Sequence, residues 1–460
     1  MSSQRVVVTI LSLAIIGGLV VSPGSTTPPH GSTANAEPVI ETASNETETP
    51  AQATASPSIR TPEPTTPISP SDTPVALTWG TDATAPSSEW VRPGLFEASA
   101  DPVYGTLVRR LTSAEGTRFD RNTYSRRQAE NAAGDLVMSY HGNAEYRVTN
   151  RITGTLVSVL PIHPDAEPQW HPSNPNLIRH LAGDDASTGE LRWYEHDLRT
   201  GRSIVIADLT DRILAQVPDA KYLSDRAEGS PSADGNRVAW LVHDSAEEPV
   251  ALVSYDLATD RVLGLKTDLA FDAGDPNWVS MSASGRYVVA GHLQGTFAYD
   301  AEGLANERQL NGKADHSDLG FDVDGRDVYV AIDFSVGPDA GWLTSIDLGT
   351  GEVTRIFQVY GGANTSVHVS TKGFERPGWV IVSTYNCKDD GAWTCDKVFA
   401  AEIATGRILN LAHTYNCGSN YWTEAHAVVN RSFTRVYFNS DAGSCGIDAE
   451  VYELTLPEFG

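Results

Sequence analysis

The 460-residue chain contains no Gly-x-Ser-x-Gly elbow, no phosphate-cradling glycine loop and no C-x2-C pair. Serine-hydrolase, nucleotide-dependent and structural-zinc readings are therefore left without residues to carry them. Positive charge is scarce too, with 33 Lys+Arg against 59 Asp+Glu and a net charge of −26. That excludes a nucleic-acid or anionic-membrane partner held by bulk basic charge. Long apolar runs are absent except for Val6 to Val21, which follows Arg5 and stops at Ser22-Pro23. It is shorter than the roughly 20 residues that span a bilayer comfortably, so residues 1–22 read as a signal peptide, or as an N-terminal membrane anchor if uncleaved.

Cysteine is also rare. The only four, Cys387, Cys395, Cys417 and Cys445, fall near the C-terminus. An even count in an exported chain points to disulfides, and the spacing favours Cys387–Cys395 and Cys417–Cys445 among the three pairings. Residues 23–76 are rich in Ser, Thr and Pro and nearly free of aromatics, the composition of a disordered linker. By contrast, ten Trp, sixteen Tyr and twelve Phe supply a large core to the remainder. The expected product is a secreted, cell-surface or periplasmic monomer with its folded part at 77–460.

From Tyr104 onward two turn types alternate with short β-rich runs. The first precedes a strongly apolar run, at Gly134, Gly235, Gly285 and Gly325, with looser versions at Asn174 to Asn176, Arg376 to Gly378 and Ser432 to Thr434. The second is a hairpin turn, at Gly154, Gly201, Asp260, Gly303, Gly351 and Gly406. Seven of one and six of the other imply an all-β, seven-bladed β-propeller whose last blade lacks a strand. The orphan run Gly105 to Leu111 is expected to supply it from the N-terminal side.

Side chains alternate along a strand, so positions nine and seven residues before each first-type turn share one face, directed at the central channel. That places Ser125 and Arg127, Arg226 and Glu228, Pro276 and Trp278, His316 and Asp318, and Glu424 and His426 around the axis. His368 is the nearest equivalent in blade six, and Gln169 or His171 in blade two. Histidines and carboxylates from blades five to seven thus converge on one rim, where they can hold a divalent metal or exchange protons. Trp278, Tyr421 and Trp422 bring aromatic faces suited to stacking on sugar rings.

The segments Pro168-Gln169-Trp170-His171-Pro172 through Ile178, and Glu424-Ala425-His426 through Asp441, resemble the oligogalacturonate lyases, and the resemblance spans blades two to seven. It implies a seven-bladed propeller that cleaves uronic-acid oligosaccharides by β-elimination with a bound manganese. The family's metal-binding H-x-H pair falls on Glu424 and His426, its earlier His ligand on His368, and its base on His316. Glu424 stands where the family has His, and Tyr421 where it has Gln; a carboxylate also suits manganese or calcium. The resemblance thus implies metal at His368, Glu424 and His426 and proton removal by His316; the channel positions add Arg226 at the uronate carboxylate and Arg127, Trp278, Tyr421 and Trp422 as substrate-binding residues. The partner is then an acidic polysaccharide or oligosaccharide. Two other readings use the same mouth: a tethered, non-catalytic envelope propeller that binds a protein or glycan, and a glycoside hydrolase using Glu228 and Asp318. Residues 1–76 carry only −4 of the charge, leaving −22 on the folded part. An anionic sugar must therefore be met locally, by the cations of the mouth.

Overall fold

The computed structural model describes residues 76–459, except 269–275, 293, 313–315, 335–336, 360–365, 386, 388–391, 418–420 and 447. The expected signal segment and nearly all of the linker lie outside the described residues. The regular structure of the described residues is almost entirely β-strand, arranged as seven four-stranded blades.

Blade one comprises Asp120–Arg121, Leu136–His141, Glu145–Asn150 and Leu156–Val159. Blades two to five repeat that antiparallel order, and blade six runs Ser366–Ser370, Trp379–Tyr385, Lys397–Glu402 and Ile408–His413. Blade seven has Val428–Val429, Arg435–Ser440 and Glu450–Thr455 from the C-terminal end of the chain. Its fourth strand is Leu107–Arg110, paired Val108 to Leu454 and Arg110 to Tyr452, so the N-terminal strand closes the last blade. Two further short strands were not evident from the sequence. Ala98–Ala100 extends the outer edge of blade seven, and Thr78–Trp79 does the same for blade six.

The turns explain why the repeat could be read. Gly134, Gly235, Gly285, Gly325 and Gly378 all have φ between +70° and +85°, as do Gly154, Gly201, Gly303, Gly351 and Gly406 between +66° and +77°. A side chain with a Cβ is strained there, so glycine recurs in phase. Phe433 takes the equivalent left-handed position in blade seven at φ +56°. The second strands are largely buried and mostly apolar, as in the Trp-Val-Ile-Val-Ser-Thr-Tyr of Trp379–Tyr385, because both faces of a blade are covered by neighbouring blades.

The apolar core is divided accordingly. Seven buried clusters occupy the seven seams, for instance Val330, Val382 and Phe399 between blades five and six, and Val137, Tyr437 and Val451 between seven and one. Hydrogen bonds tie the same neighbours, including Asn122 N–H to Asn439 Oδ1 at 2.9 Å from blade one to blade seven. The channel is bridged by side chains that reach a non-adjacent blade. Arg126 of blade one donates to Ser317 of blade five. Lys372 of blade six pairs with Asp318 of blade five at 2.7 Å and donates to Ser230 of blade three at 2.9 Å.

Candidate metal centre

Three adjacent inner strands deliver the cluster. His316 precedes Ser317–Phe321, His368 lies within Ser366–Ser370, and Glu424 and His426 sit in the loop entering Val428–Val429. The His316 and His368 ring centres are 4.4 Å apart, and those of His368 and His426 4.2 Å, both pairs edge to face. Glu424 Oε2 lies 3.6 Å from His368 Nε2 and 3.3 Å from His426 Nε2. One donor atom from each of His368, Glu424 and His426 falls within 4.8 Å of the others.

Burial decides the charge of these groups. His368 is 1% exposed and His426 fully covered. Desolvation pushes the His426 imidazole down to about 4, with Glu424 opposing the shift, and holds His368 well below the ordinary range, helped by the positive neighbours Arg126 and Arg121. Both rings are neutral near pH 7, the form a metal requires. Tyr385 stacks on His368 at 5.0 Å, and Tyr124 packs 5.7 Å from His368 and 5.1 Å from His426. Burial holds both phenols well above 10, so they remain protonated donors.

The loop that carries His426 is strained and pinned. His426 has φ +41°, its carbonyl accepts from Asn122 Nδ2 at 2.8 Å, and Ala427 N–H donates to Ser383 Oγ at 3.1 Å. Arg121 Nη1 lies 3.2 Å from His426 Nδ1. A guanidinium can only donate, so Nδ1 accepts and the proton of the neutral ring is assigned to Nε2, facing Glu424. Upstream, the Cys417–Cys445 disulfide ties the approach to Tyr421–Thr423 to the far loop of blade seven, and Cys387–Cys395 is also formed.

The residues fit a divalent cation. They offer one carboxylate and two neutral imidazoles, and both ring nitrogens of His368 lack a hydrogen-bond partner among the described residues. One feature runs against the usual pattern. Metal-bound imidazoles ordinarily donate their outer N–H, whereas the outer partner of His426 is a donor, so loading this site requires Arg121 to leave Nδ1.

The structure thus brings His316, His368, Glu424 and His426 together, with Tyr421 and Trp422 beside them. Tyr421 is 41% exposed and its ring lies 5.5 Å from His426, whereas Trp422 stacks on Phe119 at 4.6 Å. Three expected positions differ. Trp278 is 2% exposed with Arg126 over its ring at 4.3 Å, so its face is closed to a sugar. Arg127 is buried in an ion pair with Asp225 at 2.7 Å, because a turn from Tyr124 O to Arg127 N breaks the alternation and sends Arg126 across the axis instead. Arg226 and Ala227 are both left-handed, at φ +60° and +61°. The Arg226 charge accordingly bears on Tyr222, His243 and Asp184. The carboxylates of the hydrolase reading are both held by cations, Glu228 by Arg126 at 3.0 Å and Asp318 by Lys372. Counting along strands missed Arg121, Tyr124 and Tyr385. Arg121 stands in the run Arg118 to Arg127, which holds four arginines, and no turn count singled it out.

No family model matches the chain, and no curated protein matches it by sequence. Solved structures do. An oligogalacturonate lyase in complex with manganese is 13% identical, with a TM-score of 0.55 over 80% of this chain and 97% of its own. An oligogalacturonate lyase from Vibrio parahaemolyticus is 13% identical, with a TM-score of 0.54 over 79% of this chain and 97% of its own. This chain shares their fold. At that identity the likeness speaks for architecture, and chemistry must be argued from the site itself.

Proposed function

We propose that the protein is an exported polysaccharide lyase that cleaves a uronic-acid-containing glycan by β-elimination at the channel mouth. The observation that carries this reading is the joining of three imidazoles and Glu424 across blades five, six and seven, with the His368 and His426 rings neutral, beside protonated phenols. The likeness to two oligogalacturonate lyases, one with manganese, supports it.

In the elimination, the C–H bond beside the uronate carboxylate breaks, its electron pair forms the new C=C bond, and the glycosidic C–O bond to the next sugar breaks. The protein must accept one proton and return one to the departing oxygen. His316 takes the first proton; its Nδ1 is buried without a hydrogen-bond partner among the described residues. Tyr124, kept protonated by burial and 5.1 Å from the His426 ring, gives the second. His368, Glu424 and His426 would hold a divalent cation, manganese or calcium, which supplies Lewis-acid stabilisation of the carboxylate as negative charge develops there. The two disulfides support an exported location. No helix among the described residues is long and apolar enough to cross a membrane.

The test is to mix purified protein with polygalacturonate, ulvan and other polyuronates and follow the ultraviolet absorbance of unsaturated product, with and without chelator. A chelator-sensitive rise is expected. No rise on any uronate would sink the proposal.

A further inference from the structure

Most arginines around the mouth are answered by a carboxylate, as Arg126 is by Glu228 and Arg127 by Asp225. Arg121 is not. It is 6% exposed, its hydrogen-bond contacts run to His426 Nδ1 and the Tyr421 hydroxyl and to no carboxylate, and its Nε is buried without a partner among the described residues. Aromatic rings surround it instead. The guanidinium carbon lies 4.9 Å from the Trp422 ring centre, 5.2 Å from Tyr421 and 5.5 Å from Phe119. Arg118, exposed and without an ion-pair partner among the described residues, rests 5.7 Å from the same Trp422 ring.

A buried cation without a counter-ion costs several kcal/mol, and cation–π contacts return only about 0.5–2 kcal/mol each. In a chain with a net charge of −26, acids were not scarce. The position is thus organised to receive an anion from outside the chain. Guanidinium planes match the oxygens of carboxylate and sulfate groups bidentately, and the partly exposed Tyr421 beside Arg121 is a residue type suited to the face of a sugar ring.

We propose that Arg121 binds an oxyanion of the glycan, a carboxylate or a sulfate ester, on the sugar next to the one held at His368, Glu424 and His426. Tyr421 carries that sugar's face, and Arg118 meets the following charge. The glycan then runs across the seam between blades seven and one, and the site selects for consecutive acidic units. The position of the cleaved unit rests on the lyase reading; binding of an anion at Arg121 does not.

The experiment measures binding of trigalacturonate, its methyl ester and a sulfated uronate oligosaccharide by calorimetry, on chelator-treated wild type and on the R121Q, R121K and R118Q variants. Wild type binds the acidic ligands, R121Q loses about 10–100-fold, as expected for charge-assisted hydrogen bonds, R121K recovers part of that, and R118Q loses a few-fold. The methyl ester binds weakly and equally to all. A stronger effect of R121Q on the sulfated ligand than on trigalacturonate names sulfate as the anion, and the converse names carboxylate. Undiminished binding by R121Q, or no binding of any acidic oligosaccharide by wild type, overturns the inference. Binding without unsaturated product overturns the lyase reading and leaves Arg121 standing; product with undiminished R121Q binding does the reverse.

Discussion

Acid should act on this fold through the buried ring of His426. The unfolded imidazole titrates at its ordinary 6.5, whereas burial lowers the folded value to about 4. Between those pH values the unfolded chain binds a proton that the folded chain refuses, so stability rises with pH across the window and is lost as pH falls through it. The shift of about 2.5 units at 1.36 kcal/mol each gives about 3 kcal/mol lost by pH 4. The wild-type curve alone cannot show this. The Asp184 carboxyl, raised to about 7 by burial and the neighbouring aspartates, and that of Asp120, raised to about 6 by burial, gain stability as pH falls and offset the histidines. The decisive quantity is the difference between wild type and His426→Gln, measured by urea unfolding in chelator at pH 7 and pH 4. Wild type should lose about 3 kcal/mol more than the variant over that interval, and His243→Gln should behave alike, since burial also lowers His243 to about 4. Parallel curves, within about 1 kcal/mol, would refute the reasoning that burial keeps His426 neutral.

At the metal centre, Glu424→Gln should lower affinity for manganese at least tenfold in a metal-binding titration, because it removes the only charge in the donor set. His316→Ala should keep metal and lose about 10²–10⁴-fold in turnover, read as product absorbance. Lys372→Met leaves Asp318 buried without its cation and should cost about 3–5 kcal/mol in denaturant unfolding. Adding Asp318→Leu should recover much of that loss, and a double variant no better than the single would count against the ion pair. Replacing Cys417 and Cys445 by Ser opens a closure spanning 28 residues and should cost about 3–4 kcal/mol. In the assay it should raise KM, since the loop bearing Tyr421 loses its tie.

The propeller was legible because its turns demand left-handed backbone at fixed intervals, and glycine at Gly134, Gly235, Gly285 and Gly325 records that demand directly. The missing seventh hairpin turn even revealed the closing strand at Leu107–Arg110. The two-residue strand Thr78–Trp79 left no such mark, since its pairing is set by the partner edge at Leu409 and Asn410. At the mouth, counting back from the turns reached His368 within its strand and His316 and His426 in the segments that lead into theirs. It failed where the chain leaves β geometry: the Tyr124 to Arg127 turn exchanges Arg127 for Arg126, and the left-handed pair Arg226-Ala227 redirects the arginine. Trp278 does sit on the expected strand, but sequence position cannot show that another blade's guanidinium covers its ring.

The side chains that cross the axis also bear on traffic. With Arg126 reaching Ser317 and Lys372 reaching Asp318 and Ser230, the ring has a stopper instead of a bore. A polymer cannot thread through such a ring, so whatever arrives at the histidine face must also depart from it. On the proposed lyase reading, arrival and departure on one side favour cutting within a long chain laid across the rim, and the size distribution of early products would read out the architecture.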